Sequence, residues 1–154
     1  MKNKLIIFGL ILPSALLLGC SSNHSITLTI LTTHHLNPDA NEHSKPIPIS
    51  VFELTQPIPF KTSHYRDLIN TPVRSLARTL IDFQHVEVRP HSRHDIVINL
   101  TPDARYLGIC AGFHQLSISK WRITLPLNHS STHQHQTVYI GSNRINVDTK
   151  EPGL

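Results

Sequence analysis

The chain has 154 residues, with 14 lysines and arginines against 10 aspartates and glutamates, and it contains two cysteines. Lys2 and Lys4 account for half of the formal charge of +4, and the remaining basic residues are scattered among few aromatic ones, so the composition gives no support for nucleic-acid binding. The length is that of one domain with a core of its own.

The N-terminus is typical of an export signal. Its two lysines precede an apolar run over residues 5–18, which is interrupted by Pro13. A membrane-spanning helix needs about 20 apolar residues and does not tolerate a central proline easily, so this run is too short to remain as a transmembrane anchor. We therefore predict that residues 1–19 are a cleaved signal peptide.

The apolar run ends in Leu17-Leu18-Gly19-Cys20, which resembles the lipobox of bacterial lipoproteins. The resemblance implies that Cys20 becomes the acylated N-terminus. Several acyl chains on one residue hold a protein firmly at a membrane, whereas a single chain does so only marginally. Because Ser21 rather than an aspartate follows the cysteine, the resemblance also implies export to the outer membrane, facing the periplasm. We expect a lipidated tether over residues 20–25 and a folded domain over residues 26–154.

Short alternating segments fill most of the remaining chain. Apolar residues alternate with polar ones in a first strand that contains Ile26, Leu28 and Ile30, and the same period recurs further on. The predicted strands are residues 26–30, 47–54, 83–88, 96–100, 106–113, 121–127, 138–140 and 145–147. The turn at residues 89–93 predicts a hairpin between the third and fourth strands. Strands with one apolar face each favour an antiparallel β-sandwich.

One short helix is predicted between the second and third strands. Thr71 is placed to cap it and Pro72 to occupy its first position, and apolar residues then recur at helical spacing from Val73 to Leu80.

Two further residues are predicted to be structural. Cys110 lies in an apolar segment typical of a buried, unreactive thiol, and acylation of Cys20 leaves it no disulfide partner. Trp121 is predicted as a core anchor.

Three stretches, taken with the lipobox, resemble the TssJ family, the outer-membrane lipoproteins of the type VI secretion system. They are Leu36-Asn37-Pro38-Asp39 with the strand at residues 46–54, the tyrosine-led strand at residues 104–113, and Trp121-Arg122. The chain departs from the family at Pro90-His91, where Pro-Gly is usual, and at Phe113-His114, where tyrosine and arginine are common. The resemblance implies an all-β, transthyretin-like antiparallel β-sandwich of two four-stranded sheets, with one or two short helices.

The resemblance also implies a non-catalytic role with no cofactor and no small-molecule substrate. Members of this family bind the periplasmic domain of TssM, which in turn associates with TssL, and so tie the secretion channel to the outer membrane. The family's binding loop joins the first two strands. Carried to this chain, the implied partner-binding residues are Leu36, Asn37, Pro38, Asp39, Ala40, Asn41, Glu42, His43, Ser44, Lys45 and Pro46.

The twelve histidines leave a second interpretation open, a periplasmic metal-binding lipoprotein. His133 and His135 would share one face of a strand, and His91 and His94 flank a turn beside Asp95. No third or fourth ligand stands at a recognisable spacing, so we expect solvated loop histidines instead. The chain also lacks a nucleophile elbow, a glycine-rich phosphate loop and a His-Glu-x-x-His motif, and no catalytic residue is predicted.

Overall fold

A computed structural model of the chain describes residues 24–147, and these residues form eight strands. The strands are β1 (His24–Thr32), β2 (Ile47–Leu54), β3 (Leu80–Val88), β4 (Arg93–Leu100), β5 (Tyr106–Ala111), β6 (Arg122–Pro126), β7 (His133–Ile140) and β8 (Ile145–Val147). They make two four-stranded sheets, sheet 1 in the order β4-β1-β7-β8 and sheet 2 in the order β3-β2-β5-β6. The predicted sandwich of two four-stranded sheets is confirmed.

The alternating pattern of β1 explains the packing of the two sheets. Ile26, Leu28 and Ile30 are fully buried and face the interior, while the intervening side chains form the outer face of sheet 1. The inner residues of sheet 2, such as Ile49 and Ile109, belong to the same hydrophobic cluster. One pair of neighbouring strands is not antiparallel as predicted: β1 runs parallel to β7, although it runs antiparallel to β4.

The predicted hairpin between the third and fourth strands is wrong. The turn at residues 89–92 does join β3 to β4, but β3 pairs with β2 in sheet 2 and β4 pairs with β1 in sheet 1. The turn therefore crosses from one sheet to the other. This crossing lets both strands bury their apolar faces in the shared core, with Val88 and Ile98 in the same cluster.

Three short helices cover the outer face of sheet 2. They are α1 (Ile58–Thr62), α2 (Tyr65–Asn70) and α3 (Pro72–Leu76), followed by a turn of 3-10 helix at Ala77–Thr79. A second hydrophobic cluster lies beneath them, formed by Phe52, Leu54, Phe60, Leu68, Leu76 and Cys110. Thr71 is the N-cap residue of α3 and Pro72 begins the helix, as predicted, but the Thr71 hydroxyl donates to the Asp67 carbonyl and makes no cap bond. The prediction of one helix running to Leu80 is wrong in extent, since Leu80 begins β3.

Cys110 and Trp121, both predicted to be structural residues, differ in how deeply they are buried. Cys110 is fully buried, and burial raises the pKa of its thiol to about 12. Trp121 is half-buried and packs against both hydrophobic clusters. Its ring meets Tyr65 edge-on, and the Arg122 guanidinium lies 4.4 Å from its ring centroid.

The strands define two opposite ends of the sandwich. At the proximal end lie His24, where β1 begins, and the connections at residues 101–105 and 127–132. At the distal end lie the connections at residues 33–46, 89–92, 112–121 and 141–144. The nine residues of β1 separate the two ends by about 26 Å at the usual strand rise.

The predicted signal peptide and Cys20 lie outside the described residues. His24 and Ser25, assigned to the tether from the sequence, are the first residues of β1. None of the helices within residues 24–147 has the length and apolar character needed to cross a membrane.

Candidate functional site

The predicted partner-binding loop, residues 36–46, occupies the distal end and is closed at its base. The backbone N–H of Lys45 donates to the Leu36 carbonyl at 3.0 Å, and the Leu36 side chain is fully buried in the main core. The loop therefore starts and ends at one point on the sandwich.

Asn37 ties the loop to a second connection of the distal end. Its Nδ2 donates to the Pro46 carbonyl at 3.3 Å, and its Oδ1 accepts from the backbone N–H of His114 at 2.9 Å. The side chain is 4% exposed, and the residue has a φ of 44°, a left-handed conformation that asparagine tolerates better than most residues. Leu36 and Asn37 are thus structural members of the predicted loop.

Asp39 organises the tip of the loop. Its Oδ1 accepts from the backbone N–H groups of Asn41 and His43 at 2.9 and 3.0 Å. Its Oδ2 lies 3.2 Å from Lys45 Nζ and 3.8 Å from His43 Nδ1. The hydrogen bond from the His43 backbone is the largest cause that lowers the pKa of the Asp39 carboxyl to about 2. Desolvation opposes it, and the hydrogen bonds from Lys45 and the Asn41 backbone lower the pKa further.

The exposed residues of the loop form its outer rim. Ala40, Asn41, Glu42 and His43 are all exposed. Glu42 has a φ of 63° and its Oε2 lies 3.1 Å from His35 Nε2, which joins the rim to the chain just before the loop. The rim is available to another molecule, as are the exposed Lys45 and Pro46 at the end of the loop.

A polar cleft of about 220 Å³ lies beside the loop. The loop forms one wall through Asn37 and Glu42, and the connections at residues 114–119 and 142–143 form the rest. Ile118, on a turn of 3-10 helix, is 66% exposed at this cleft. Sequence reasoning did not identify this wall. The one sequence feature that pointed to this wall was Ile118, an isoleucine in a polar connection, and the position of the wall beside the loop depends on the fold.

The histidines singled out as metal ligands lie on the surface of sheet 1 and in the turns. His133 Nδ1 lies 2.8 Å from the Ser25 hydroxyl, and His135 Nε2 lies 3.3 Å from the Thr29 hydroxyl, which donates to Asp95 at 2.6 Å. His91 stacks on His34 with ring centroids 3.6 Å apart. Residues 24–147 contain no group of three or more histidine, cysteine, aspartate or glutamate side chains placed to hold a metal ion.

Residues 24–149 match the profile of a family described as the type VI secretion lipoprotein, with VasD, EvfM and TssJ among its names. No curated protein sequence gives a significant match to the chain.

The fold is similar to several solved structures. The type VI secretion lipoprotein TssJ1 from Pseudomonas aeruginosa superposes with a TM-score of 0.79 and 21% identity, over 85% of this chain and 99% of that one. Lip from Serratia marcescens, a membrane-bound component of the type VI secretion system, gives 0.77 and 22% over 82% and 99%. A structure described as the TssM C-terminal domain from EAEC gives 0.67 and 16%, over 80% of this chain and 96% of that one.

Proposed function

Because the chain belongs to the type VI secretion lipoprotein family, we propose that it is lipidated on Cys20, resides in the outer membrane facing the periplasm, and binds the periplasmic domain of TssM. Through TssM, which associates with TssL, it would fix the trans-envelope channel to the outer membrane. The family is a structural component of the secretion membrane complex and not an enzyme family. In this proposal residues 1–19 are the signal peptide.

The arrangement of the two ends carries the proposal. β1 begins at His24, four residues after Cys20, and the loop at residues 36–46 follows its far end. A membrane anchor at the proximal end leaves the distal end about 26 Å further into the periplasm. There the rim of the loop is free to meet a partner from the inner membrane.

The rim and the cleft together supply more contact surface than the rim alone. A standard protein–protein interface buries about 1,600 Å² in total, which a loop of eleven residues covers only in part. The wall at residues 114–119 is held to the loop by the bond between Asn37 and His114, so both are available as one surface. Many anchored copies around an oligomeric partner then add avidity to modest single contacts.

Substitution of two rim residues by arginine tests this surface better than deletion of the loop, because the deletion would also remove the buried side chain of Leu36 from the core. Ala40→Arg with Asn41→Arg changes two exposed side chains. We expect this variant to fold and to lose copurification with the TssM periplasmic domain. The matched control is Ile58→Arg with Val73→Arg, which changes two side chains that are 66% and 69% exposed on the helices. Full binding by the rim variant, or loss of binding only in the control, contradicts the proposed surface.

Lipidation is tested separately by Cys20→Ser. We expect the variant protein to leave the membrane fraction of the cell envelope and type VI secretion to stop. The purified variant should still bind the TssM domain in solution, because the rim is unchanged. Undiminished secretion by the unlipidated protein contradicts the anchoring role.

A further inference from the structure

Ile118 is an exposed aliphatic side chain at a concave site. It is 66% exposed and lines the polar cleft beside the loop at residues 36–46. Three other large aliphatic side chains are exposed to a similar degree, but Ile58 and Val73 lie on the helices and Val97 lies on the edge strand β4. Single apolar residues are common on protein surfaces, whereas an apolar residue in a cleft can be covered by another molecule from several sides.

The turn that carries Ile118 is held from within the domain. Leu116 packs against the main hydrophobic cluster, while Ile118, two residues further on, faces outward. The backbone N–H of Ser119 donates to the Leu116 carbonyl at 3.2 Å, and the Ser119 hydroxyl donates to the Gln115 carbonyl at 2.6 Å. The backbone of Ile118 therefore belongs to a closed turn with a partly buried neighbour.

The three walls of the cleft are bound to one another. The Asn37 side chain joins the loop to the backbone of His114. At the other end of the same connection, the backbone N–H of Lys120 donates to the Asn143 carbonyl at 2.9 Å, and the Lys120 carbonyl accepts from the N–H of Ile145 at 3.0 Å. A site whose walls are already joined loses less conformational freedom when a partner enters it.

Charge and size limit what the cleft can receive. Its two carboxylates, those of Asp39 and Glu42, both belong to the loop. Asp39 lies 3.2 Å from Lys45 Nζ, and the Glu42 side chain is 79% exposed to water. The walls at residues 114–119 and 142–143 contain no lysine, arginine, aspartate or glutamate. The volume of about 220 Å³ is below the roughly 300 Å³ at which small-molecule sites begin, so the cleft suits one uncharged side chain.

Polar groups flank the apolar residue. Asn143 and Ser142 line the cleft, and neither Nδ2 of Asn143 nor the Ser142 hydroxyl has a hydrogen-bond partner within residues 24–147. These groups are able to bond to the backbone of an incoming chain. Residues that dominate the binding energy of an interface lie in pockets that are ringed by contacts which exclude water. The surroundings of Ile118 have this arrangement.

We propose that Ile118 is the apolar anchor of the partner-binding surface, and that the periplasmic domain of TssM places an aliphatic or aromatic side chain on it within the cleft. The inference rests on the proposed function, which names the partner, and it adds the residue and the chemistry of the contact. Such a contact removes apolar surface of both molecules from water, which favours the complex.

The test measures binding of the purified TssM periplasmic domain to the unlipidated mature chain, Cys20→Ser, by isothermal titration calorimetry. We expect Ile118→Ala to weaken binding at least about tenfold, and Ile118→Asp to abolish it because an unpaired charge would be buried. Ile118→Leu keeps an aliphatic side chain of the same size and should bind more tightly than Ile118→Ala. The heat capacity change of binding should be less negative for Ile118→Ala, since less apolar surface is buried.

Ile58→Ala is the matched control, because Ile58 is the same residue type with the same exposure of 66%. It should bind like the unsubstituted chain, and the two alanine variants should have the same midpoint in urea denaturation. Unchanged binding by Ile118→Ala overturns the inference, and so does an equal loss in Ile118→Ala and Ile58→Ala. A lower urea midpoint for Ile118→Ala alone would make Ile118 a structural residue, which overturns it as well.

The outcome is separable from that of the proposed function. If the unsubstituted chain does not bind the TssM domain, the proposed function fails and this inference fails with it. If the unsubstituted chain binds, and binding is lost in Ala40→Arg with Asn41→Arg but kept in Ile118→Ala, the proposed surface stands and the apolar anchor alone is wrong.

Discussion

The side-chain oxygen of Asn37 accepts a hydrogen bond from the backbone N–H of His114 at 2.9 Å, across 77 positions of sequence. This bond joins the loop at residues 36–46 to the connection between β5 and β6. The bond is part-buried, because it joins the buried side chain of Asn37 to the backbone of the exposed residue His114, and water competes with it less than with a bond at the open surface. Asn37 therefore helps to hold the two segments of the distal surface together.

Substitution of that side chain should loosen the distal surface. Asn37→Ala removes the bonds to His114 and Pro46 and places alanine at a φ of 44°. We expect a loss of about 1–3 kcal/mol in the free energy of unfolding, since two part-buried hydrogen bonds are lost and alanine is strained at a positive φ. Urea denaturation measures this loss, and hydrogen exchange should speed up at the His114 amide. Asn41→Ala, at an exposed position, should change stability by less than about 0.5 kcal/mol. Similar stabilities for the two variants would contradict the bridging role.

Asp39 should make the loop sensitive to strong acid. The pKa of its carboxyl is lowered from 3.8 to about 2 in the folded chain, so the carboxylate stabilises the loop fully above pH 3.8, and the effect is lost as the pH falls through 2. We expect the carboxyl resonance of Asp39 to titrate near pH 2, and exchange of the His43 amide to accelerate over the same range.

Asp39→Asn provides the comparison for that titration. The amide keeps an oxygen for the two backbone donors but has no charge for Lys45, so the acid-dependent change in His43 exchange should disappear. Persistence of the change in the variant would assign it to another group.

The strands could be predicted from the sequence because each depends on a local pattern. The alternation of Ile26, Leu28 and Ile30 with polar residues predicts a strand with one buried face, and these three residues are fully buried. Sheet membership is not a local property. The turn at residues 89–92 satisfies a hairpin pattern equally well when it crosses between sheets, so β3 and β4 were paired wrongly.

Two of the helices and the cleft could not be predicted from local sequence patterns, because both depend on contacts between distant parts of the chain. α1 and α2 are five and six residues long, too short for a helical period to emerge, and packing of Phe60 and Leu68 on sheet 2 stabilises them. The position of the loop followed from its polar composition. Its bond to His114, and hence the cleft, follows from the fold.

Cys110 should be unreactive until the chain unfolds. Burial raises the pKa of its thiol to about 12, and alkylating reagents attack the thiolate. In the Cys20→Ser chain Cys110 is the single thiol, so labelling by iodoacetamide at about pH 8 reports on it alone. We expect labelling to be negligible in buffer and complete in denaturing urea, measured by mass spectrometry. Rapid labelling of the folded chain would show that the helices open readily from sheet 2.

Gly108, the one glycine within the strands of sheet 2, should not tolerate a side chain without a loss of stability. A methyl group added there lies 2.9 Å from Cδ2 and Cε2 of Phe60 and 3.0 Å from Cδ1 of Leu54, all in the cluster beneath the helices. Phe60 and Leu54 are fully buried, so they can give way only by displacing their neighbours, and we expect Gly108→Ala to lower the free energy of unfolding by about 1–3 kcal/mol. Gly141→Ala is the matched control, because its nearest neighbours are atoms of Thr33 at 3.9 and 4.0 Å. That variant should stay within about 0.5 kcal/mol of the unsubstituted chain in urea denaturation. Equal stability of the two variants would mean that α1 shifts away from β5 at little cost, and that its packing is looser than these distances require.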